Sequence, residues 1–346
     1  MKDHPKVNFG KTGVLLINLG TPDSPKVKDV GPYLLQFLND GRVIDIPWLI
    51  RSILVNLIIV PIRMFSSAKE YQKLWTEKGS PLLYHSKNLA KEVQKELGDE
   101  YDVHLAMRYN KPSIKIVLAE IKKQQYEELI VLPLYPQHAS SSNGTAIEDV
   151  MKYISKWWVI PNIRIISKFH DDNGYLESFE ARASEFDLDS YDHILFSYHG
   201  LPTRHIKKCN IDGCVANDCD CLSINNNSYC YRANCVSTTK NLAKRLKLDP
   251  SKYSICFQSR LDNKWLTPFA DKEVENLAKS GAKRVLVFSP AFVADCLETI
   301  VEIGEGFEEV FIENGGEKLD LVPSLNTHPR WIKALKELII KNKYFD

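Results

Sequence analysis

Three groups of side chains in this chain could do chemistry. His199 stands in Ser-Tyr-His-Gly-Leu-Pro (197–202), directly after the apolar run Ile194-Leu195-Phe196, where a buried strand should run out into a loop. In an open α/β sheet, ligands bind in the crevice beyond the carboxyl ends of the strands. An imidazole there can accept a proton or bind a metal near neutral pH. Four acids, Asp295, Glu298, Glu302 and Glu305, follow another apolar strand at spacings of three, four and three. At 100° per residue they share about an 80° arc of one helix face. Carboxylates in such a row attract a hard divalent cation or take up protons, and with a histidine they offer a borderline site for Fe²⁺. The third group is sulfur. Cys209, Cys214, Cys219, Cys221, Cys230 and Cys235 lie within 27 residues as C-x4-C-x4-C-x-C-x8-C-x4-C. This stretch is rich in Asn, Asp and Gly and cannot form a core, so a metal or cluster would have to order it. The spacing suits zinc and [2Fe–2S] alike.

The elements that must carry these groups occur twice. Residues 13–22 and 192–202 both read as an apolar strand running into Gly-x-Pro, and apolar strands ending in proline recur at 129–133 and 284–290. Further strands are expected at 102–107, 162–167 and 253–258, with helical patterns at 86–97, 113–125, 236–246 and 271–280. Strands alternating with helices of this length indicate parallel sheets. The expectation is two Rossmann-like, doubly wound domains, 1–165 and 166–325, facing across a cleft. The cysteine-rich insert (207–235) belongs to the second, and a last helix within 326–346 packs back on the first. Superposing the halves puts Leu19 where His199 stands, so only the second half carries the reactive side chain.

Bulk properties narrow the classes. With 45 basic against 44 acidic residues there is no global attraction to nucleic acid. The first residues lack an apolar signal segment, so a cytoplasmic location is expected and the cysteines should be thiols or metal ligands rather than disulfides. Residues 46–64 are the most apolar stretch, but their longest charge-free run, 52–62, falls short of the about 20 residues a spanning helix needs. Two readings remain, a buried core helix and an amphipathic interfacial flap. Neither Gly-x-Pro turn carries a Gly-x-Gly-x-x-Gly or P-loop pattern, which disfavours nucleotide binding.

The chain resembles the ferrochelatases, which insert ferrous iron into porphyrin to make haem. The resemblance runs through LLINLGTP (15–22), YLLQFLNDGRVIDIP (33–47), KLWTEKGSPL (73–82), MRY (107–109), VLPLYPQ (131–137), SYHGLP (197–202), FQSR (257–260), TPFAD (267–271) and ADCLETIVEIGE (294–305). It implies porphyrin and Fe²⁺ as substrates, with His199 and Glu298 as catalytic, metal-site residues. Asp295, Glu302 and Glu305 would relay protons or metal along a helix commonly distorted toward π geometry. Leu19, Tyr71, Ser80, Arg108, Tyr109 and Trp265 would line the porphyrin site. Because Leu19 cannot ligate iron, no axial ligand is expected from the first half.

The resemblance further implies that 46–64 is a lip, which in some members touches the membrane; the expected location is then peripheral to its inner face. It favours a [2Fe–2S] cluster over zinc for the cysteines, with Cys214, Cys221, Cys230 and Cys235 preferred and Cys209 and Cys219 as alternatives. Protoporphyrin and coproporphyrin both remain open, as does the division of labour between His199 and Glu298 as base and ligand. Nothing in the sequence fixes an oligomeric state. Rival readings are a cobalt chelatase of the same architecture and a non-enzymatic iron or redox sensor built on the cysteines.

Overall fold

A computed structural model describes residues 10–209, 217 and 229–341. The chain forms two compact units. One holds the chain up to Tyr135, Ser140–Lys168 and the part from Leu335 onward; the other holds Pro136–Ala139 and Phe169–Ala334.

The first unit contains a parallel four-stranded sheet of β1 (Thr12–Asn18), β2 (Tyr101–Met107), β3 (Glu128–Pro133) and β4 (Asn162–Ile165), in the order β2-β1-β3-β4. β1 is buried along its whole length. That is the signature of a central parallel strand covered on both faces. β4 is a four-residue edge strand with no fully buried residue. The helices Ile114–Gln124 and Thr145–Ile154 supply Val117, Leu118, Ile121, Ala146 and Val150 to the core against Leu15, Ile17, Leu129 and Val131. Ser113 caps the first of these helices by accepting the Ile116 N–H.

The second unit repeats this plan with β5 (His193–His199), β6 (Tyr253–Gln258), β7 (Arg284–Phe288) and β8 (Lys318–Leu321), in the order β6-β5-β7-β8. All its pairings are parallel. The equivalence extends to loops: Met107 N–H donates to Pro112 C=O at 2.7 Å, and Phe257 N–H to Pro268 C=O at 2.8 Å. In both units the helix after the third strand opens in π geometry, at Ser140–Gly144 and at Glu298–Phe307. The repeat expected from the sequence is therefore complete. Only β8 was without a strand signal, its Lys-Leu-Asp-Leu being short and half polar.

Residues 48–74 form one long helix, with a π segment at Leu54–Ile59. Val55, Val60, Ala68, Tyr71 and Leu74 are buried, and Tyr71 meets Tyr33 of the helix Val27–Leu38 edge to face. The opposite face is bare: Leu57 is 71% and Ile62 69% exposed. This rules out a core helix. It also corrects the argument from the charge-free run, because by length and composition this helix is long enough to cross a membrane. Pro61 does not end it, since the π segment just before widens the backbone where the ring would otherwise strike the preceding turn.

Candidate active site

His199 is the last residue of β5, half-buried, and pairs in register with Gln258 at the end of β6. Its Nδ1 lies 2.7 Å from the Gly200 carbonyl oxygen. A carbonyl only accepts, so Nδ1 carries the hydrogen and Nε2 keeps its lone pair for a proton or a metal. Gly200 must be glycine. A Cβ there would come 2.7 Å from the Gln258 carbonyl oxygen and 3.3 Å from the Trp265 ring. The half-buried Trp265 thus packs on the residue next to the histidine, held by a bridge to Pro202.

Glu298 and Glu302 come from the π helix after β7, the other neighbour of β5 in the sheet. Burial raises the Glu302 pKa first, and the Glu298 charge adds to this; a hydrogen bond from Ser259 and the positive charge of a protonated His199 oppose it. Glu302 therefore lies within electrostatic reach of both His199 and Glu298. Ser259 Oγ donates to Glu302 Oε2 at 2.6 Å, from a residue held at φ +59°. Glu298 also has the buried Cys296 thiol beside it; burial first, then the carboxylate, keep that thiol protonated. Cys296 is thus a thiol facing the acid, whereas Cys256, buried in β6 with its pKa also raised by burial, is packing.

The acidic stripe does not survive as a single face. The 100° step applies to an α-helix, but residues 298–307 are π-helical, with i→i+5 bonding and a smaller turn per residue. Glu305 rotates away and is exposed. Asp295 precedes the helix, and its carboxylate is occupied: it accepts from Asn326 Nδ2 at 2.6 Å and from Ser324 N–H at 3.2 Å. The structure thus sets Asp295 and Glu305 apart from Glu302, which is joined to Ser259 and lies within electrostatic reach of Glu298. Ser259 had no assigned role in the sequence. Left-handed backbone is ordinarily announced by Gly, Asn or Asp, so serine gave no signal there.

In the first unit, the position matching His199 is Leu19, half-buried at the end of β1. Tyr109 is buried; its ring meets Phe37 edge to face and its hydroxyl donates to Asp40 at 2.9 Å. Arg108 donates to the same carboxylate at 2.6 Å, and so does Thr145. Burial alone would raise the Asp40 pKa, but hydrogen bonds from Thr145 and the Arg42 N–H, with the Arg108 charge, hold it below the usual range. Tyr71 and Ser80 are buried as well. Of the porphyrin-lining residues expected in this unit, Arg108 and Tyr109 are thus engaged with Asp40, Tyr71 and Ser80 are buried, and Leu19 is half-buried.

Among the described residues no three His, Cys, Asp or Glu side chains are grouped to hold a metal ion. Cys214, Cys219 and Cys221 lie outside the described residues. Cys209 is half-buried at the end of the helix Thr203–Cys209, while Cys230 and Cys235 are buried at and just inside the start of the helix Tyr231–Arg245.

A family model for ferrochelatase matches residues 11–343. The chain belongs to the ferrochelatase family. A protein named ferrochelatase from Legionella pneumophila (strain Lens) is 44% identical over 330 residues, covering 95% of this chain and 98% of its own length. Another, from Coxiella burnetii (strain CbuK_Q154), is 44% identical over 341 residues, covering 97% and 95%. Among solved structures, SirB from Bacillus subtilis with Fe³⁺ aligns at TM-score 0.55 and 11% identity, covering 97% of this chain and 99% of that one. That likeness shows the fold, a chelatase-like α/β architecture. Ferrochelatase membership makes the chain an enzyme of the metal-chelatase lyase type, acting in haem synthesis with a porphyrin and a divalent metal as substrates.

Proposed function

We propose that this ferrochelatase inserts Fe²⁺ into protoporphyrin or coproporphyrin with release of two protons, at His199 and the Glu298–Glu302 pair. The observation that carries the reading is the fixed tautomer of His199, which leaves Nε2 unprotonated on a ring close enough to Glu302 for their charges to interact. Metalation exchanges two pyrrole N–H protons for a dication, so the site needs acceptors that ionise and reprotonate within reach. His199 Nε2 accepts a pyrrole proton or ligates incoming iron. Glu302, whose burial favours its neutral form, passes the second proton onward through its contact with Ser259, and Glu298 holds the complementary negative charge. Trp265 offers an aromatic face beside the histidine on which a distorted macrocycle can rest, using binding energy remote from the reacting nitrogens. Asp295 ties the start of the π helix to the 324–326 segment and so fixes where Glu298 and Glu302 stand.

The test is anaerobic metalation of both porphyrins with Fe²⁺. His199→Ala is expected to abolish insertion while porphyrin binding, followed by absorbance, persists. Full activity of that variant removes the histidine from the mechanism.

Thiol density supports a metal centre held by four of the six clustered cysteines, and the family resemblance is the ground for reading it as a [2Fe–2S] cluster rather than zinc. Cys230 and Cys235 fit such a role: both are buried, and Cys230 sits at a helix N-terminus, where a thiolate is favoured. The cluster would supply structural order or redox sensing; no step of metalation runs through it. An absorbance spectrum and metal analysis of the purified protein separate it from zinc. The bare face of the helix Trp48–Leu74, with exposed Arg63 and Lys69 along it, supports peripheral contact with an anionic bilayer. Leu57→Asp should lower co-sedimentation with phosphatidylglycerol vesicles and leave metalation of soluble porphyrin unchanged.

A further inference from the structure

We propose that Tyr231 is a positioning residue for His199, fixing the tautomer and direction of the imidazole through the peptide that follows it. The Tyr231 hydroxyl donates to the His199 carbonyl oxygen at 2.8 Å. On the other side of the same peptide, Gly200 N–H donates to the Gln258 carbonyl oxygen at 2.8 Å. The carbonyl of Gly200 is in turn the acceptor for His199 Nδ1–H. The orientation of the imidazole therefore depends on the Gly200 carbonyl, and the His199–Gly200 peptide that leads to it is pinned at both its oxygen and its nitrogen. Remove one pin and a glycine, with its wide conformational freedom, can turn the carbonyl away. Nδ1 then loses its acceptor, and neither ring nitrogen is committed.

Tyr231 is suited to this work. It is buried, so its hydroxyl is shielded from competing water. It opens the helix Tyr231–Arg245, which is fastened at several further points. Asn234 Oδ1 accepts the His138 N–H at 3.1 Å, Thr238 Oγ1 donates to the His170 carbonyl at 2.9 Å, and Thr239 Oγ1 lies 2.9 Å from the hydroxyl of Tyr198 in β5. The buried Cys235 thiol lies next to the Tyr231 hydroxyl. The sequence hid this link, because Tyr231 stands among the cysteines and reads as part of the insert rather than of the active site.

The inference rests on the reading of His199 as the metalation residue, and the test separates the two. In protein labelled with ¹⁵N-histidine, long-range ¹H–¹⁵N spectra at pH 8 should show His199 of the wild type as the Nδ1–H tautomer, assigned by the signal lost in His199→Ala. In Tyr231→Phe, which keeps the ring and loses the hydroxyl, the tautomers should mix. The kcat for insertion of Zn²⁺ into a soluble dicarboxylate porphyrin should fall about tenfold, with porphyrin Kd changed less than twofold. A wild-type His199 found as the Nε2–H tautomer overturns the inference without any variant. So does a folded Tyr231→Phe with unchanged tautomer and kcat. A wild type that inserts no metal overturns the underlying reading instead.

Discussion

Ser259→Ala tests the electrostatics of the site most sharply. Ser259 Oγ donates to Glu302 Oε2 at 2.6 Å, a charge-assisted bond that favours the ionised acid against the burial that disfavours it. Hydrogen bonds to charged groups are worth about 1.5–3 kcal/mol. Losing this one therefore shifts the protonation balance of Glu302 toward the neutral acid by roughly ten- to a hundredfold, at 1.4 kcal/mol per factor of ten. Both serine and alanine bear the cost of φ +59°, so backbone strain cancels in the comparison. The assay is the pH dependence of kcat/KM for metal insertion. Its acid limb, where a group must deprotonate, should move to higher pH by about one unit or more. Superimposable profiles would show that Glu302 does not set that limb, and the proton route through it would have to be abandoned.

Glu302→Gln should stabilise the protein while impairing it. Burial raises the Glu302 pKa in the folded state above its unfolded value, so its contribution to stability is whole below the unfolded value and lost as pH rises through the folded one. Glutamine escapes that loss, and a Tm advantage should be absent at pH 4, grow with pH and level off, worth roughly 0.5–2 kcal/mol. Asp295→Ala removes the acceptor for Asn326 Nδ2 and the buried Ser324 N–H and should cost about 2–4 kcal/mol in urea unfolding. Unchanged stability would mean the 324–326 segment is not tied there. Gly20→Ala should fail to fold stably. The position has φ +110° and an added Cβ would lie 1.9 Å from the Tyr109 carbonyl oxygen, so thermal unfolding close to wild type would refute that packing.

The sequence alone determined the repeat, because a parallel strand buried on both faces must be written as a continuous apolar run, and runs such as Val14–Ile17 and Ile194–Phe196 have no other economical use. It determined the place of His199 too, since a histidine just beyond such a run stands at the carboxyl end of the strand. The family was legible because motifs such as SYHGLP and ADCLETIVEIGE follow one another in one order over most of the chain.

Only tertiary structure decided the rest. The turn per residue of a helix is set by its hydrogen-bond pattern, and no residue type declares a π helix, so the separation of Glu298 and Glu302 from Glu305 was invisible. The placement of Asp295 and the part of Ser259 were hidden because their partners, Asn326 and Glu302, lie 31 and 43 residues away along the chain. Whether an apolar helix is core or surface depends on what packs against it: Trp48–Leu74 buries Val55, Val60 and Tyr71 on the side of the helix Val27–Leu38 yet leaves Leu57 and Ile62, no less apolar, exposed.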